Sequence, residues 1–212
     1  ALLGRSYHAA RRYDEAAEAY GKAVELAPQN ANYRTTYGLI LGLAGDLDKG
    51  LAELQKVTGT PGYKDAIGYV NLGWIYRNLN KAPESIAAYQ KALVLDPTQE
   101  QAALGLGWAY QYTKEYDKAI AAYEQAMKID PKDASADANL GIAWCNFFKR
   151  QVPEAKAYAD KAAAAGRSVT QLKENIEKLE KAIASGAALT EEQMQQAQAA
   201  QQAWEERNKK IE

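Results

Sequence analysis

The chain has 212 residues, 47% of them apolar and 25% charged, which is an ordinary composition for a protein with a packed core. Lys and Arg number 26 against 27 Asp and Glu, so no excess of positive charge favours nucleic acid as a partner. No apolar run approaches the roughly 20 residues of a membrane-spanning helix. We therefore expect neither nucleic-acid binding nor membrane insertion. One cysteine excludes an internal disulfide, and a single thiol fits the cytoplasm and the periplasm equally well.

A glycine recurs along the chain with a nearly constant spacing. Large side chains stand three residues after each of these glycines, and small ones stand twelve residues after the first four. Proline closes three of the units, twenty-four residues after the glycine, at Pro28, Pro97 and Pro131. A period of this length predicts stacked helical hairpins. The glycines are Gly4, Gly38, Gly73, Gly107 and Gly141, separated by 34, 35, 34 and 34 residues.

Each unit contains two amphipathic stretches separated by a short polar turn, for example residues 99–112 and 117–129. The second stretch is predicted to end at Asp96 or Asp130, because a residue before proline avoids the α conformation. In chain order we predict five repeats, a capping helix and a Gln- and Ala-rich last helix. The predicted boundaries are 1–30, 31–64, 65–98, 99–132 and 133–165 for the repeats, 166–185 for the capping helix and 186–212 for the last helix.

These units resemble the tetratricopeptide repeat (TPR) family over about residues 1–165. The resemblance implies an all-α fold, a right-handed superhelix or α-solenoid of about five helix–turn–helix repeats. The Ala-rich second helices and Asp-Pro junctions are similar to those of bacterial members. The second repeat departs from the family pattern at Gly50, and its loop has one extra residue. We expect residues 149–153 to lengthen the turn of the fifth repeat by about two residues, with its second helix at about 154–165. The first repeat is expected to be truncated, with further repeats upstream.

The last 46 residues follow a different pattern. Apolar residues at spacings of 3, 4, 3 and 4 predict an amphipathic helix that caps the end of the array. Thr190 and Gln193 then form a capping-box pattern that opens a second helix. Only Met194, Ala197 and Trp204 lie on a plausible apolar face of that helix, so we expect it to be loosely held. The apolar residues of the first stripe are Val169, Leu172, Ile176, Leu179 and Ile183.

The reactive side chains form no catalytic or metal-binding pattern. His8 and Cys145 are the only histidine and cysteine, and they fall in the first and fifth repeats. We interpret His8 as a partly exposed groove residue and Cys145 as a packing thiol. The glycines near Gly42 lack the Lys and Ser or Thr of a phosphate-binding loop. We therefore predict no enzyme activity, no metal and no cofactor.

The resemblance also implies a binding groove lined by the first helix of each repeat. In the family, groove residues stand three before, one after and four after the repeat glycine, and an asparagine two before it often bonds a peptide backbone. In this sequence the candidate groove residues are Arg5, His8, Thr35, Leu39, Val70, Asn71, Trp74, Arg77, Leu104, Trp108, Gln111, Tyr112, Asn139 and Ile142. Gly42, Ala138 and Cys145 occupy the remaining equivalent positions.

Trp74 and Trp108 occupy equivalent positions one repeat apart. One interpretation is that they anchor an apolar ligand segment, and the other is that each packs against the neighbouring first helix. Some family members hold a C-terminal carboxylate with a clamp of Lys, Asn and Arg. Thr35 and Val70 stand where that clamp needs charged groups, so we expect an apolar helix or an extended segment as the ligand.

These features predict a non-catalytic scaffold or adaptor that binds a partner peptide or amphipathic helix in the concave groove. The resemblance to bacterial members suggests a role in assembling a multiprotein complex. One alternative is self-assembly into a homo-oligomer through the repeat ends or the last helix, and a variant lets residues 190–212 fold back into the groove. A third alternative is the targeting arm of a larger enzyme.

Overall fold

The computed structural model describes residues 1–132 and 135–209, the last six of them as backbone only. This part of the chain is built from α-helices joined by short turns. The helices are α1 (Leu2–Ala9), α2 (Tyr13–Leu26), α3 (Ala31–Leu43), α4 (Leu47–Thr58), α5 (Ala66–Asn78), α6 (Ala82–Leu95), α7 (Glu100–Tyr112), α8 (Tyr116–Ile129), α9 (Ser135–Phe148), α10 (Val152–Ala164), α11 (Thr170–Ala184) and α12 (Glu191–Lys209). The all-α helical-repeat fold class is confirmed. The boundaries proposed for the individual repeats stay a prediction.

The turn inside each hairpin has the same backbone conformation. One residue of each turn adopts a positive φ, between 56° and 97°. The next residue donates its N–H to a carbonyl five residues back, as Glu115 does to Tyr110 at 2.8 Å. This closure satisfies carbonyls that the ending helix leaves unpaired. The positive-φ residues are Arg11, Gly45, Asn80, Lys114 and Arg150.

The chain divides within α7 into two compact units, Ala1–Gly105 and Leu106–Glu212. In the first unit, a large side chain from each second helix lies over the repeat glycine of its own hairpin. A methyl group on Gly4 would come within 2.8 Å of the Tyr20 ring, and one on Gly73 within 2.8 Å of the Tyr89 ring. Ser85 tightens the third hairpin, because its buried hydroxyl donates to the Gly73 carbonyl at 2.9 Å.

In the second unit, the Tyr123 ring lies between two glycines. A methyl group would come within 2.6 Å of this ring from Gly107 and within 2.4 Å from Gly141. The ring is fully buried, and its hydroxyl donates to Gln111 Oε1 at 2.9 Å. The glycines of two successive first helices therefore make the space for one tyrosine.

The predicted ends of the second helices are confirmed, since Asp96 follows α6 and Asp130 follows α8. The longer turn predicted for the fifth repeat is wrong. Only residues 149–151 separate α9 from α10, the same length as residues 113–115 between α7 and α8. The additional residues extend α9, and α10 begins at Val152 because Pro153 is tolerated in the first turn of a helix.

The helix α11 packs its apolar stripe on α10, as predicted for a capping helix. Leu172, Ile176 and Leu179 are each 1% exposed in a cluster with Ala155 and Ala159, whereas Ile183 at the end of the stripe is 45% exposed. The capping box of α12 is also confirmed. Thr190 N donates to Gln193 Oε1 at 2.9 Å, and Gln193 N donates to Thr190 Oγ1 at 3.2 Å. The side chain predicted at Trp204 lies outside the described residues.

Candidate peptide-binding surface

Two of the predicted groove positions on α5, Trp74 and Arg77, stay partly exposed. The six-membered ring of Trp74 lies against α3, where a methyl group on Gly42 would be 2.9 Å from it. Trp74 nevertheless keeps part of its surface exposed. Asn78 donates from Nδ2 to the Trp74 carbonyl at 2.8 Å, and Arg77 is partly exposed one turn along the helix. Trp74 therefore packs on the neighbouring first helix and against the core of the first unit while part of its surface stays accessible, and its role as a ligand anchor stays a prediction.

Ile67 extends this surface, and the sequence analysis did not single it out. It is 52% exposed and stands seven residues before Trp74, which places both side chains on one face of α5. Together with Val70 and Arg77 they form a stripe at spacings of 3, 4 and 3, hereafter the α5 stripe (Ile67, Val70, Trp74, Arg77). A helical-periodicity check counted back from Trp74 would have found Ile67.

The position where a carboxylate clamp would need a cation is closed. Thr35 is 4% exposed, and its hydroxyl hydrogen-bonds the Tyr63 hydroxyl at 3.3 Å. Burial raises the pKa of Tyr63, so the phenol stays neutral and supplies no charge. Val70 is 7% exposed and apolar. Neither side chain offers a positive group to a ligand carboxylate.

The other predicted positions of the first unit differ in exposure. Arg5 is exposed, whereas His8, Leu39 and Leu104 are partly exposed. The His8 ring lies 6.1 Å from the Tyr13 ring, centroid to centroid. Asn71 is 8% exposed and has little surface left for a ligand backbone.

The predicted positions of the second unit are mostly buried. Trp108 is 7%, Asn139 7% and Ile142 0% exposed. Gln111 is 3% exposed and accepts hydrogen bonds at Oε1 from the Tyr123 hydroxyl at 2.9 Å and from Cys145 Sγ at 3.6 Å. Trp108 therefore does not fit the predicted role of an exposed anchor in this arrangement, because its side chain is part of the packed interior.

Tyr112 is 51% exposed and lies beside Gln111 at a cavity of about 320 Å³. The opposite wall of this cavity is α12, so the last helix folds back onto two predicted groove residues. The fully buried Ala197 and the 8% exposed Gln201 show that α12 is packed rather than free. The cavity is lined by Gln111, Tyr112, Lys114, Tyr116, Phe148, Gln198, Gln201 and Gln202.

The single cysteine lies in the packed interior of the second unit. Cys145 is fully buried as a packing thiol. Among residues 1–132 and 135–209, no three or more His, Cys, Asp or Glu side chains are grouped so that they could hold a metal ion. In the same part of the chain, no helix has the length and apolar character needed to cross a bilayer.

Comparison with known proteins identifies the repeats. The family described as tetratricopeptide repeat matches residues 1–30, 66–99 and 101–133. The chain is 34% identical to the Hsp70-Hsp90 organizing protein of Triticum aestivum over 103 aligned residues. The aligned stretch covers 48% of this chain and 17% of that protein. The chain is 29% identical to DnaJ homolog subfamily C member 7 of Homo sapiens over 101 aligned residues. This alignment covers 47% of this chain and 20% of that protein. The chain thus spans about a fifth of the length of these curated relatives.

Solved structures show the same fold. The MamA structure is 26% identical, with a TM-score of 0.67, and covers 77% of this chain and 94% of that one. The structure of PilW, described as a widely conserved type IV pilus biogenesis factor, has a TM-score of 0.74 at 21% identity over 95% of this chain and 90% of that one. The matches to residues 1–30, 66–99 and 101–133, together with the hairpins described above, show that the chain contains tetratricopeptide repeats.

Proposed function

We propose that the protein is a non-catalytic adaptor that binds an apolar peptide or amphipathic helix of a partner protein along the α5 stripe. The observation that carries this proposal is the partly exposed Trp74, whose ring packs against Gly42, together with Ile67, which lies two turns earlier on the same face of α5 and is 52% exposed. Tryptophan is favoured at binding hot spots because a rigid ring buries a large apolar area with little loss of conformational entropy. The predicted groove residues Arg5, His8, Leu39 and Leu104 are accessible in the same unit.

The chemistry of the stripe favours an apolar ligand over an acidic chain end. Thr35 and Val70 are buried and uncharged at the two positions where a carboxylate clamp would need cations. The names of the curated relatives concern chaperones, but a chaperone's acidic tail is not the ligand that this surface favours. We infer instead a helix that places two or more large apolar residues on Ile67 and Trp74.

The test compares the chain with Trp74→Ala and Ile67→Ala variants in affinity capture, followed by isothermal titration with the captured partner. Loss of a central tryptophan contact is commonly worth about 2 kcal/mol, which corresponds to a roughly 30-fold weaker Kd. Val94→Ala is the matched control, since Val94 is a 74% exposed apolar residue on the second helix α6. Unchanged binding by Trp74→Ala, or equal weakening by Val94→Ala, would place the interaction elsewhere.

We also propose that this binding serves the assembly of a bacterial multiprotein complex. Similar solved structures include a protein of Pseudomonas aeruginosa and one of Thermus thermophilus, at 18% and 20% identity, and this likeness concerns the fold alone. The proposal therefore depends on whether the partner belongs to a larger complex. Identification of the captured protein as a member of a larger complex supports it, whereas a partner that forms no further contacts contradicts it.

Self-association is the second candidate, and it is favoured by exposed leucines on α1. Leu2 is 79% and Leu3 59% exposed at adjacent positions. Adjacent exposed apolar side chains of this size favour contact with another copy. Sedimentation velocity of the chain and of a Leu2→Ser/Leu3→Ser variant tests this candidate. A concentration-dependent dimer that the double substitution abolishes would establish it, and a monomer at all concentrations would exclude it.

A further inference from the structure

Among the side chains of α12 that the structure describes, residues 191–203, the buried ones are a small and an amide side chain. Ala197 is fully buried and Gln201 is 8% exposed, and their spacing of four residues places them on one side of the helix. Ala199, between them, is exposed. Ala197 joins the cluster formed by α9, α10 and α11, with Ala200 partly buried against it. A methyl-sized contact of this kind allows close approach, and by itself it buries little apolar area.

The surface opposite α12 is better suited to a bulkier ligand. The rings of Tyr116 and Phe148 are stacked, with centroids 5.6 Å apart, and Tyr112 remains 51% exposed beside them. The cavity of about 320 Å³ lies between these residues and the glutamines of α12. A large side chain placed in this cleft would make dispersion contacts with the aromatic rings. We call the surface of Tyr112, Tyr116 and Phe148 the aromatic face.

The capping helix α11 packs its own apolar stripe into the cluster that Ala197 joins. The side chains of Leu172, Ile176 and Leu179 on α11 are each 1% exposed and close the α10 end of the cluster. The connection from α11 to α12 contains Gly186, whose φ of 70° favours glycine. A turn at Gly186 therefore connects α12 to α11, and α11 itself packs against the cluster through Leu172, Ile176 and Leu179.

We propose that the aromatic face is a second binding surface, specific for a partner helix with small residues at its closest approach and a bulky apolar residue in the cavity, and that α12 occupies this surface until such a helix displaces it. The proposal deepens the proposed function and depends on the chain binding partner helices. Its residues belong to the second unit, so it is tested separately from the α5 stripe.

Displacement has a quantitative requirement. A helix tethered by a short connection competes at an effective concentration on the order of 1 mM. A partner at about 1 μM must therefore bind the free surface roughly 1,000-fold more tightly than α12 does. An aromatic side chain in the cavity raises the affinity of the partner helix by about 10- to 100-fold. The partner helix needs a second large apolar residue, which the exposed ring of Tyr112 can receive.

The first experiment uses two substitutions of the same residue type in the full chain. Ala197→Asp places a charge at the buried position, whereas Ala199→Asp places it two residues away at an exposed position of the same helix. We expect amide hydrogen exchange in residues 191–203 to rise at least 10-fold with Ala197→Asp and to match the parent with Ala199→Asp. A labelled synthetic peptide of residues 190–209 should then bind the Ala197→Asp chain and not the Ala199→Asp chain, as measured by fluorescence anisotropy.

The second experiment tests the bulky residue. In that peptide, Gln198→Phe adds a ring at the cavity, and Gln195→Phe adds the same ring at an exposed position. The first peptide should bind the Ala197→Asp chain about 10- to 100-fold more tightly than the second. If Ala197→Asp unfolds the unit, the same two substitutions are made in the full chain, where Gln198→Phe should slow exchange in residues 191–203 and Gln195→Phe should not.

Three results would overturn the proposal. One is exchange in residues 191–203 that is as fast in the parent as in the Ala197→Asp chain, because α12 would then not be docked. Another is equal behaviour of the Gln198→Phe and Gln195→Phe substitutions, because the cavity would then not select a side chain. The third is a concentration-dependent dimer of the parent that Ala197→Asp abolishes, because α12 would then be exchanged between copies of the chain.

Discussion

Gly141→Ala tests the packing that joins one repeat to the next. In the interior of a helix, replacing glycine by alanine normally stabilises by about 1 kcal/mol. At Gly141 the added methyl group would lie 2.4 Å from the Tyr123 ring, well inside the 3.4 Å of ordinary contact. The ring cannot retreat easily, because it is fully buried and its hydroxyl is bonded to Gln111. Overpacking of a buried site costs about 1–3 kcal/mol, so we expect the substitution to destabilise the second unit overall.

Gly21→Ala is the matched control. A methyl group on Gly21 would meet only the end of the Tyr37 side chain, at an ordinary 3.4 Å, so this substitution should stabilise by about 0.5–1 kcal/mol. Urea unfolding followed by far-UV circular dichroism measures both variants, and hydrogen exchange shows which helices open first. Combining Gly141→Ala with Tyr123→Leu should cost less than the sum of the single changes, because the shorter side chain leaves room for the methyl group. Stabilisation by Gly141→Ala similar to that by Gly21→Ala would refute this reasoning.

Three further predictions concern other parts of the chain. Trp108→Ala should lower the free energy of unfolding by about 3–5 kcal/mol, because the side chain is 7% exposed. Trp74→Ala should lower it by roughly 1–2 kcal/mol, because part of that side chain is already exposed. Thermal melts that rank the two variants in the opposite order would contradict these burial values. Arg150→Gly should stabilise by about 0.5–1 kcal/mol in urea unfolding, because the residue has a φ of 61°, and a loss of stability would show that this turn is not strained. Glu53→Gln should cost about 1–3 kcal/mol at neutral pH, and much less in acid.

The acid dependence at Glu53 follows from opposing effects on its pKa. Burial alone would raise the pKa, but hydrogen bonds from Lys56 and from Arg34, the latter at 2.6 Å, outweigh it and leave the pKa below its ordinary value. A carboxylate with a lowered pKa stabilises the fold above the ordinary glutamate value of about 4.3, and this contribution disappears as the pH falls through the lowered value. Unfolding titrations of Glu53→Gln and the parent should therefore converge in acid; a constant difference would contradict the ion pair.

The repeats were predictable because their signals are local and repeated. Gly107 and Gly141 recur one repeat apart, and both leave room for the Tyr123 ring. Asp96 and Asp130 each follow the end of a helix, because the proline after each of them disfavours the α conformation. The longer turn expected at residues 149–153 was wrong because Pro153 was read as a residue of the turn, although proline is equally compatible with the first turn of a helix.

The surface was harder to predict because one repeat position can face a groove or a neighbour. Trp74 and Trp108 carry the same signature, yet one is partly exposed and the other 7% exposed. Their burial depends on which side chains of distant helices meet them, and no local pattern encodes this. The docking of α12 was only one of several possibilities from sequence, since the one fully buried side chain among its described residues is an alanine, Ala197, among many alanines. Ile67 was missed because positions were counted from the repeat glycine and not along the face of α5.

The central claim is that the first helices of the repeats present the binding surface. The most direct test is hydrogen exchange of the full chain with and without its captured partner, read helix by helix. The account predicts slower exchange in α3 and α5, around Leu39 and Trp74, with α2, α4 and α6 unchanged. Slower exchange confined to α2, α4 and α6, the second helices of the hairpins, would contradict it.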